Sequence, residues 1–356
     1  MNVITGYIVR EILKGSFIAL LVLLTIFNLF TFSDELDDIG RGSYGLTEVF
    51  YFVALQSPTV IYELMPASAL LGSLFVLGSM GNHRELIAMR AAGLSLLGII
   101  KATLVAGSIL VVFAFAFGEF IAPSAEETGQ VMRATAQNNQ VLLKAKYGLW
   151  LREDNRFINI RHIEDNGDLA DVSVYSLNKQ GQLNQSLHAK QASFLGNQQW
   201  RLHDIEQSTI GLGEMQADTK KQELWLSSIA PDLLKIVVVN TDNLSLYDLA
   251  MYIGFLKNNE QKTRKFELAF WGRVVNPLVI FVMLIVATPF VIGIKRGVSV
   301  GSRLLIGVTI GMGFNILDQV VGHIGLIYEV FNPAIIAFAP SLLVLTLALF
   351  ALRRID

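Results

Sequence analysis

The sequence predicts an α-helical membrane protein with six transmembrane helices and a periplasmic, β-jelly-roll-like domain inserted between helices three and four. Three observations predict it. Apolar residues make up 53% of the 356-residue chain and charged residues only 16%, against about a quarter charged in soluble domains. The apolar residues gather in six long runs. Between the third and fourth run the pattern changes to short alternating stretches broken by turn residues.

Residues 15–33 form the first run, free of charge and long enough to nearly cross a hydrocarbon core of ~30 Å at a rise of ~1.5 Å per residue. A signal peptide is the alternative, but Phe30-Thr31-Phe32-Ser33-Asp34 offers no small-residue cleavage site, so the helix is read as retained. The second span is 59–81, with Glu63 and Pro66 toward its outer end; the apolar and aromatic residues 46–55 before it are expected at the interface. The third is 95–118, where Lys101 snorkels from one end. The fourth, 274–294, contains Pro277 and Pro289. The fifth, 304–327, is interrupted by Asp318 and His323, and the sixth, 333–352, carries no charge.

Basic residues orient these spans, because short cytoplasmic segments collect Lys and Arg. With a cytoplasmic N-terminus, the short inner segments hold Arg10, Lys14, Arg84, Arg90, Lys101, Lys295, Arg296, Arg303, Arg353 and Arg354, and the short outer ones hold Arg41. Both termini are therefore expected in the cytoplasm and residues 119–273 outside. Within that outer segment, Leu149-Trp150-Leu151, 156–160, 172–177, 200–205 and Leu224-Trp225-Leu226 alternate with period two. Turn signals stand between them at 153–155, 165–168, 178–181 and 196–198. Such a pattern predicts a sandwich or jelly roll. A helix over 245–258, capped by Ser245 with Asp248 three residues on, leads back to the membrane.

Several function classes drop out. There is no cysteine, which removes disulfides, iron–sulfur clusters and thiolate nucleophiles, and the five histidines show no metal-ligand spacing. A net charge of −2 gives no pull toward nucleic acid. The chain holds no phosphate loop, nucleophile elbow or zinc-binding His pair, so an enzyme is not expected, nor a metal or cofactor of its own. A carboxylate inside an apolar helix is costly. Asp318 accordingly reads either as part of a substrate path or proton relay, or as a structural hydrogen-bonding group near the outer interface; Glu63 and Glu119 read as structural.

The loop 82–93 is predicted to form a helix of about three turns, with Asn82 as cap, Glu85 at the capping-box position and Gly93 at its end. It is either an inert connector or a coupling helix that docks into a soluble ATPase. In the second reading Arg84, Glu85 and Arg90 make polar contacts, and Leu86 and Met89 form the apolar anchor.

That loop carries a resemblance. Glu85-Leu86-Ile87-Ala88-Met89-Arg90-Ala91-Ala92-Gly93 resembles the cytoplasmic signature of the LptF/LptG permeases, as does Gly118-Glu119-Phe120-Ile121-Ala122-Pro123. Gly42-Ser43-Tyr44, Leu317-Asp318-Gln319, Pro333-Ala334 and Ala339-Pro340-Ser341 resemble the LptG branch more than LptF. The resemblance covers the whole chain. It implies a permease subunit of an ABC-type exporter that extracts lipopolysaccharide from the inner membrane and passes it to a periplasmic bridge. The implied partners are an LptF-like permease, an LptB-like ATPase dimer that uses the ATP and docks on 82–93, and an LptC-like protein beside the first span. The domains would be 1–123 with helices one to three, 124–244 as the periplasmic jelly-roll-like domain, 245–270 as helix and linker, and 271–356 with helices four to six. Rival readings are an ABC permease for another lipid or lipoprotein, and a non-transporting scaffold.

One departure stands out. The family carries lysines at the outer end of the first span that face lipid A phosphates, whereas the matching positions here are Thr31, Asp37 and Asp38. Those lysines do not carry over. The substrate's phosphates then call for other outer cations, because arginine's planar fork binds phosphate oxygens bidentately. Arg133 matches a basic family position and is the first candidate, with Arg41 and Arg273 after it. The alternative is that all three are ordinary interfacial arginines. The acidic run from Asp34 to Asp38 is expected to repel phosphate unless it points away or is bridged.

Overall fold

The computed structural model describes residues 3–137, 149–164, 167–178, 180–211, 215–231, 233–234, 244–292 and 300–353. Lys295, Arg296 and Arg354 of the charge asymmetry, and Asp165, Asn166 and Lys179 of the expected turns, lie outside the described residues. In order come α1 Val3–Leu36, α2 Leu46–Asn82, α3 Glu85–Ala91, α4 Leu96–Ala116, a π-helical turn Phe117–Ile121 and α5 Ala122–Ala136. Then follow β1 Leu149–Glu153, β2 Arg156–Ile163, β3 Leu169–Leu177, β4 Leu183–Gly196, β5 Gln199–Ile210 and β6 Met215–Leu226. The chain ends with α6 Leu246–Asn258, α7 Arg264–Ile292, α8 Val300–Ile327 and α9 Pro333–Arg353. It divides into two compact units: Met1–Asp37, Val53–Ala125 and Glu267–Asp356 in the first, Asp38–Phe52 and Glu126–Phe266 in the second.

The helical unit holds the expected spans: among the described residues six helices are long and apolar enough to cross a membrane. Their bounds differ from the sequence reading in several places, and α7 begins at Arg264, ten residues before the expected 274. α1 begins at Val3, because Ile8 and Ile12 put a buried stripe on the turns before the charge-free run. α2 is one helix of 37 residues, ~55 Å long, so 46–55 is its first part, continuous with the span. α4 continues through the π turn into α5, and Pro123 lies just after that turn. Residues 124–136 are thus helical, and the first described strand begins at Leu149.

Inside this unit α1, α2, α4 and α7 share one core through Ile12, Met65, Leu77, Ala106 and Leu284. α2, α7 and α9 share another through Leu70, Leu74, Val279, Met283 and Ala348. α1 and α2 meet at glycines: a Cβ on Gly72 would lie 2.3 Å from the Ser16 nitrogen, so only glycine permits this approach. α2 is largely buried by its neighbours, whereas the apolar windows of α1 and α8 are mostly uncovered.

The second unit is built on one six-stranded antiparallel sheet in sequential order, β1 to β6. Register lines the buried side chains into rows: Ile158 pairs with Val174, and Ile160 with Val172, which faces Ala189, which faces Ile205. The sequence reading found five alternating stretches and missed β4. Its segment is polar, and its inward positions are filled by the small buried Ala189 and Ala192, which give almost no hydropathy signal. The fully buried Trp200 satisfies its indole N–H on the Ile229 carbonyl at 2.8 Å. Glu153, read as a turn residue, ends β1 and accepts from the Ser227 and Ser228 hydroxyls, tying the first hairpin to the end of β6. Ser245 caps α6 as expected, accepting from the Asp248 N–H at 3.0 Å.

Candidate functional site

Of the three candidate arginines, Arg133 and Arg41 lie in the second unit and converge on one carboxylate, while Arg273 lies in the first. α1 ends at Leu36, and a tight turn follows, in which the Arg41 N–H donates to the Asp38 carbonyl and the Tyr44 N–H to that of Arg41. The turn needs positive φ at Gly40 (+91°) and Gly42 (+62°), which glycine adopts without strain. It is fixed at its far end by the buried Tyr44 and by Ser43, whose N–H and hydroxyl both donate to the Ala136 carbonyl at the end of α5.

This arrangement places the Asp38 carboxylate against α5. Arg133 Nη2 reaches Oδ2 at 2.6 Å, Gln137 Nε2 reaches the same oxygen at 3.1 Å, and Arg41 Nη1 reaches Oδ1 at 2.6 Å. Gln137 directly follows α5 and stands four residues from Arg133, its N–H bonded to the Arg133 carbonyl, so both side chains lie on one side. The Arg133 guanidinium also lies over the Phe52 ring, 5.1 Å from its centre. The Arg133 hydrogen bond, joined by Gln137 and the charge of Arg41, holds the Asp38 carboxyl below its ordinary value, against the opposing effect of partial burial. The acidic residue expected to repel an anion is therefore neutralised by the two arginines expected to bind one. Sequence reasoning named Asp38 but missed this role. The signal was the i, i+3 spacing of Asp38 and Arg41 in a glycine-rich turn; the link to Arg133, 95 residues away, had none.

Arg273 belongs to the helical unit and is buried there, not at an open rim. Its guanidinium donates to the Gly118 carbonyl in the π turn, lies 4.0 Å from Glu119 and packs on the Tyr62 ring 5.3 Å from its centre. Tyr62 in turn donates to the Arg273 carbonyl at 3.0 Å. In the π turn the Ala122 N–H bonds the Phe117 carbonyl, and the next residue, Pro123, has no N–H to give the Gly118 carbonyl. Arg273 donates to that carbonyl, which is a structural reason for a buried cation beside Glu119.

At the opposite end of the spans, α3 is shorter than expected, seven residues. Asn82 does not cap it. Asn82 closes α2 and accepts from Arg303 Nη2 at 2.9 Å, and the residue before α3 is Arg84, at φ +61° with no side-chain cap. Glu85 accepts from the Tyr7 hydroxyl at 3.0 Å in place of a capping-box bond. Gly93 ends α3 as predicted: at φ +94°, its N–H bonds the Arg90 carbonyl and the Leu94 N–H bonds that of Met89, the Schellman pattern. Leu86 is buried in this chain's own core and Met89 packs against it, so the expected apolar anchor points inward. The outward side of α3 is Arg84, Ile87, Ala88 and Arg90, all exposed.

Asp318 lies on the uncovered side of α8 with Asn315 and Gln319, which bond each other at 3.0 Å. Among the described residues no hydrogen bond or ion pair engages Asp318. Among them, too, no group of three or more His, Cys, Asp or Glu is placed to hold a metal ion.

Residues 6–354 match the lipopolysaccharide export system permease LptF/LptG family. The lipopolysaccharide export system permease protein LptG of Haemophilus influenzae is 31% identical to this chain over 356 residues, covering 99% of both. The protein of the same name from Escherichia coli K12 is 29% identical over 355 residues, covering 99% of this chain and 98% of the relative.

Proposed function

The chain belongs to the lipopolysaccharide export permease LptF/LptG family, and on that basis we propose that it is a permease subunit exporting lipopolysaccharide from the inner membrane. The observation that carries this reading is the match over residues 6–354, which spans the six apolar helices and the inserted sheet alike. The sheet is taken as a jelly-roll-like module on the periplasmic side, and both termini and α3 as cytoplasmic. The excess of basic residues on the α3 side supports that orientation. The chain is not itself a catalyst. A separate ATPase dimer supplies the work through α3, a second LptF-like permease completes the cavity, and an LptC-like protein receives the substrate. Arg133 and Arg41 are the residues proposed to meet lipid A phosphates, through charge-assisted bonds of about 1.5–3 kcal/mol each where partly desolvated.

Proteoliposomes holding the chain with its permease, ATPase and LptC-like partners test this. Lipopolysaccharide should leave the bilayer only when ATP is supplied on the side bearing α3, and this chain alone should hydrolyse no ATP. Extraction driven by ATP on the sheet side would overturn the orientation; no extraction with ATP on either side would overturn the permease reading.

A further inference from the structure

We infer that Asp38 is a resident anion in the substrate's phosphate seat: it occupies the donors of Arg133 and Arg41 until a lipid phosphate displaces it, and so competes with the substrate. The inference rests on the reading that these two arginines hold phosphate.

The donors already form an anion site. Two guanidinium groups and one carboxamide, drawn from the 38–44 turn and from α5, converge on one carboxylate at 2.6, 2.6 and 3.1 Å. A tetrahedral phosphate presents more acceptor oxygens than a carboxylate and uses the same donors. Two features make the carboxylate exchangeable. The Arg41 side chain is 65% exposed and that of Arg133 30%, so the seat opens to solvent on the Arg41 side, and the Arg41–Asp38 pair is of the exposed kind worth only ~0–1 kcal/mol. The seat itself is held elsewhere. Ser43 and Tyr44 anchor the turn beyond Gly40 and Gly42, and Phe52 supports Arg133 from below. Asp38 can therefore swing away by side-chain rotation without dismantling the donors.

Charge decides the direction of exchange. With Asp38 in place, two cations face one anion and the seat carries a net charge of about +1; with Asp38 withdrawn it carries +2. A phosphate monoester carries about −1.5 to −2 at neutral pH, which matches the emptied seat better than the occupied one. The acid thus sets an affinity ceiling and keeps the arginines paired when no substrate is present.

The test measures equilibrium binding of fluorescent lipid A bisphosphate, and of the same lipid without phosphates, to the detergent-solubilised permease complex. Wild type, Asp38→Asn and Arg133→Ala are compared, with a melting temperature for each. The first substitution preserves side-chain size and one acceptor while removing the charge. Asp38→Asn should bind the bisphosphate about two- to fivefold more tightly, the size expected when the carboxylate no longer competes for the two arginines, and the dephosphorylated lipid unchanged. Unchanged or weaker bisphosphate binding by Asp38→Asn, alongside weaker binding by Arg133→Ala, would overturn the competition while leaving the phosphate seat standing. Equal tightening toward both lipids would also overturn it, because the effect would then not be on phosphate. Unchanged binding by Arg133→Ala would remove the seat itself.

Discussion

The 38–44 turn with α5 and the α3 hairpin are both short, charged pieces of chain next to apolar helices, yet they handle their charges in opposite ways. At the turn, one carboxylate receives three side-chain donors, and both arginines of the site engage it. At α3, the arginines Arg84 and Arg90 stand exposed, the first residue lacks a side-chain cap, and the tertiary hold is apolar, through Leu86 and Met89. Each pattern suits a different kind of partner. A surface whose charges are already paired can bind only by exchange. A surface that buries its apolar side inward and leaves cations outward can bind by addition.

The strongest response should come from the second half of that contrast. Ile87 is 51% exposed on α3, beside Arg84 and Arg90. If the proposed ATPase docks on α3, Ile87→Asp removes an exposed apolar contact and offsets the charge of the flanking arginines, so co-purification of the ATPase should fall at least tenfold, with the melting temperature of the chain within a degree or two of wild type. Leu86→Ala should behave the other way, destabilising the chain by about 2–4 kcal/mol because Leu86 is buried. If Leu86→Ala strips the ATPase without loss of stability, α3 points its anchor outward and the contrast fails.

A weaker response divides the arginines among themselves. Arg273 and Arg133 read alike in the sequence as cations near the outer ends of spans, but the Arg273 side chain is only 5% exposed and holds the π turn. Arg273→Ala strands the Gly118 carbonyl and should cost about 2–3 kcal/mol, visible as a lower melting temperature, while Arg133→Ala should leave stability nearly unchanged and weaken lipid binding. Equal loss of stability in the two variants would erase the distinction.

The spans were legible in the sequence because hydrocarbon demands long unbroken apolar runs, and Ser245 and Gly93 because caps are local chemistry. The start of α1 and the extension into α5 were not, since their mixed or polar composition breaks the apolar run, and the union of 46–55 with α2 was hidden because a helix continuing through Gln56, Ser57 and Pro58 leaves no signal in hydropathy. β4 escaped because its inward residues are alanines. The candidate site was half legible. Composition singled out the arginines, but whether a cation is engaged inside the chain depends on partners far away in sequence, as Gly118 is for Arg273 and Asp38 for Arg133.

The faintest difference between the two regions is one of pH. The Asp38 carboxyl is held below its ordinary value chiefly by the Arg133 hydrogen bond, then by Gln137 and the charges of Arg41 and Arg133. A carboxyl whose folded-state pKa lies below its unfolded value, about 3.9 for aspartate, stabilises the folded chain above that unfolded value. It loses the contribution as pH falls through the depressed folded value. The groups facing Asp38 are Arg41 from its own turn and Arg133 and Gln137 from α5, and none of these changes charge in the acid range. Asp38→Asn should therefore melt slightly below wild type at pH 7, with the gap narrowing below pH ~4 and closing as the wild-type carboxyl protonates. No such closure should appear for Leu86→Ala, whose deficit comes from lost apolar packing and does not titrate. A gap for Asp38→Asn that widens toward acid would mean that Asp38 prefers to be protonated in the folded chain, and the two arginines would then not be its partners.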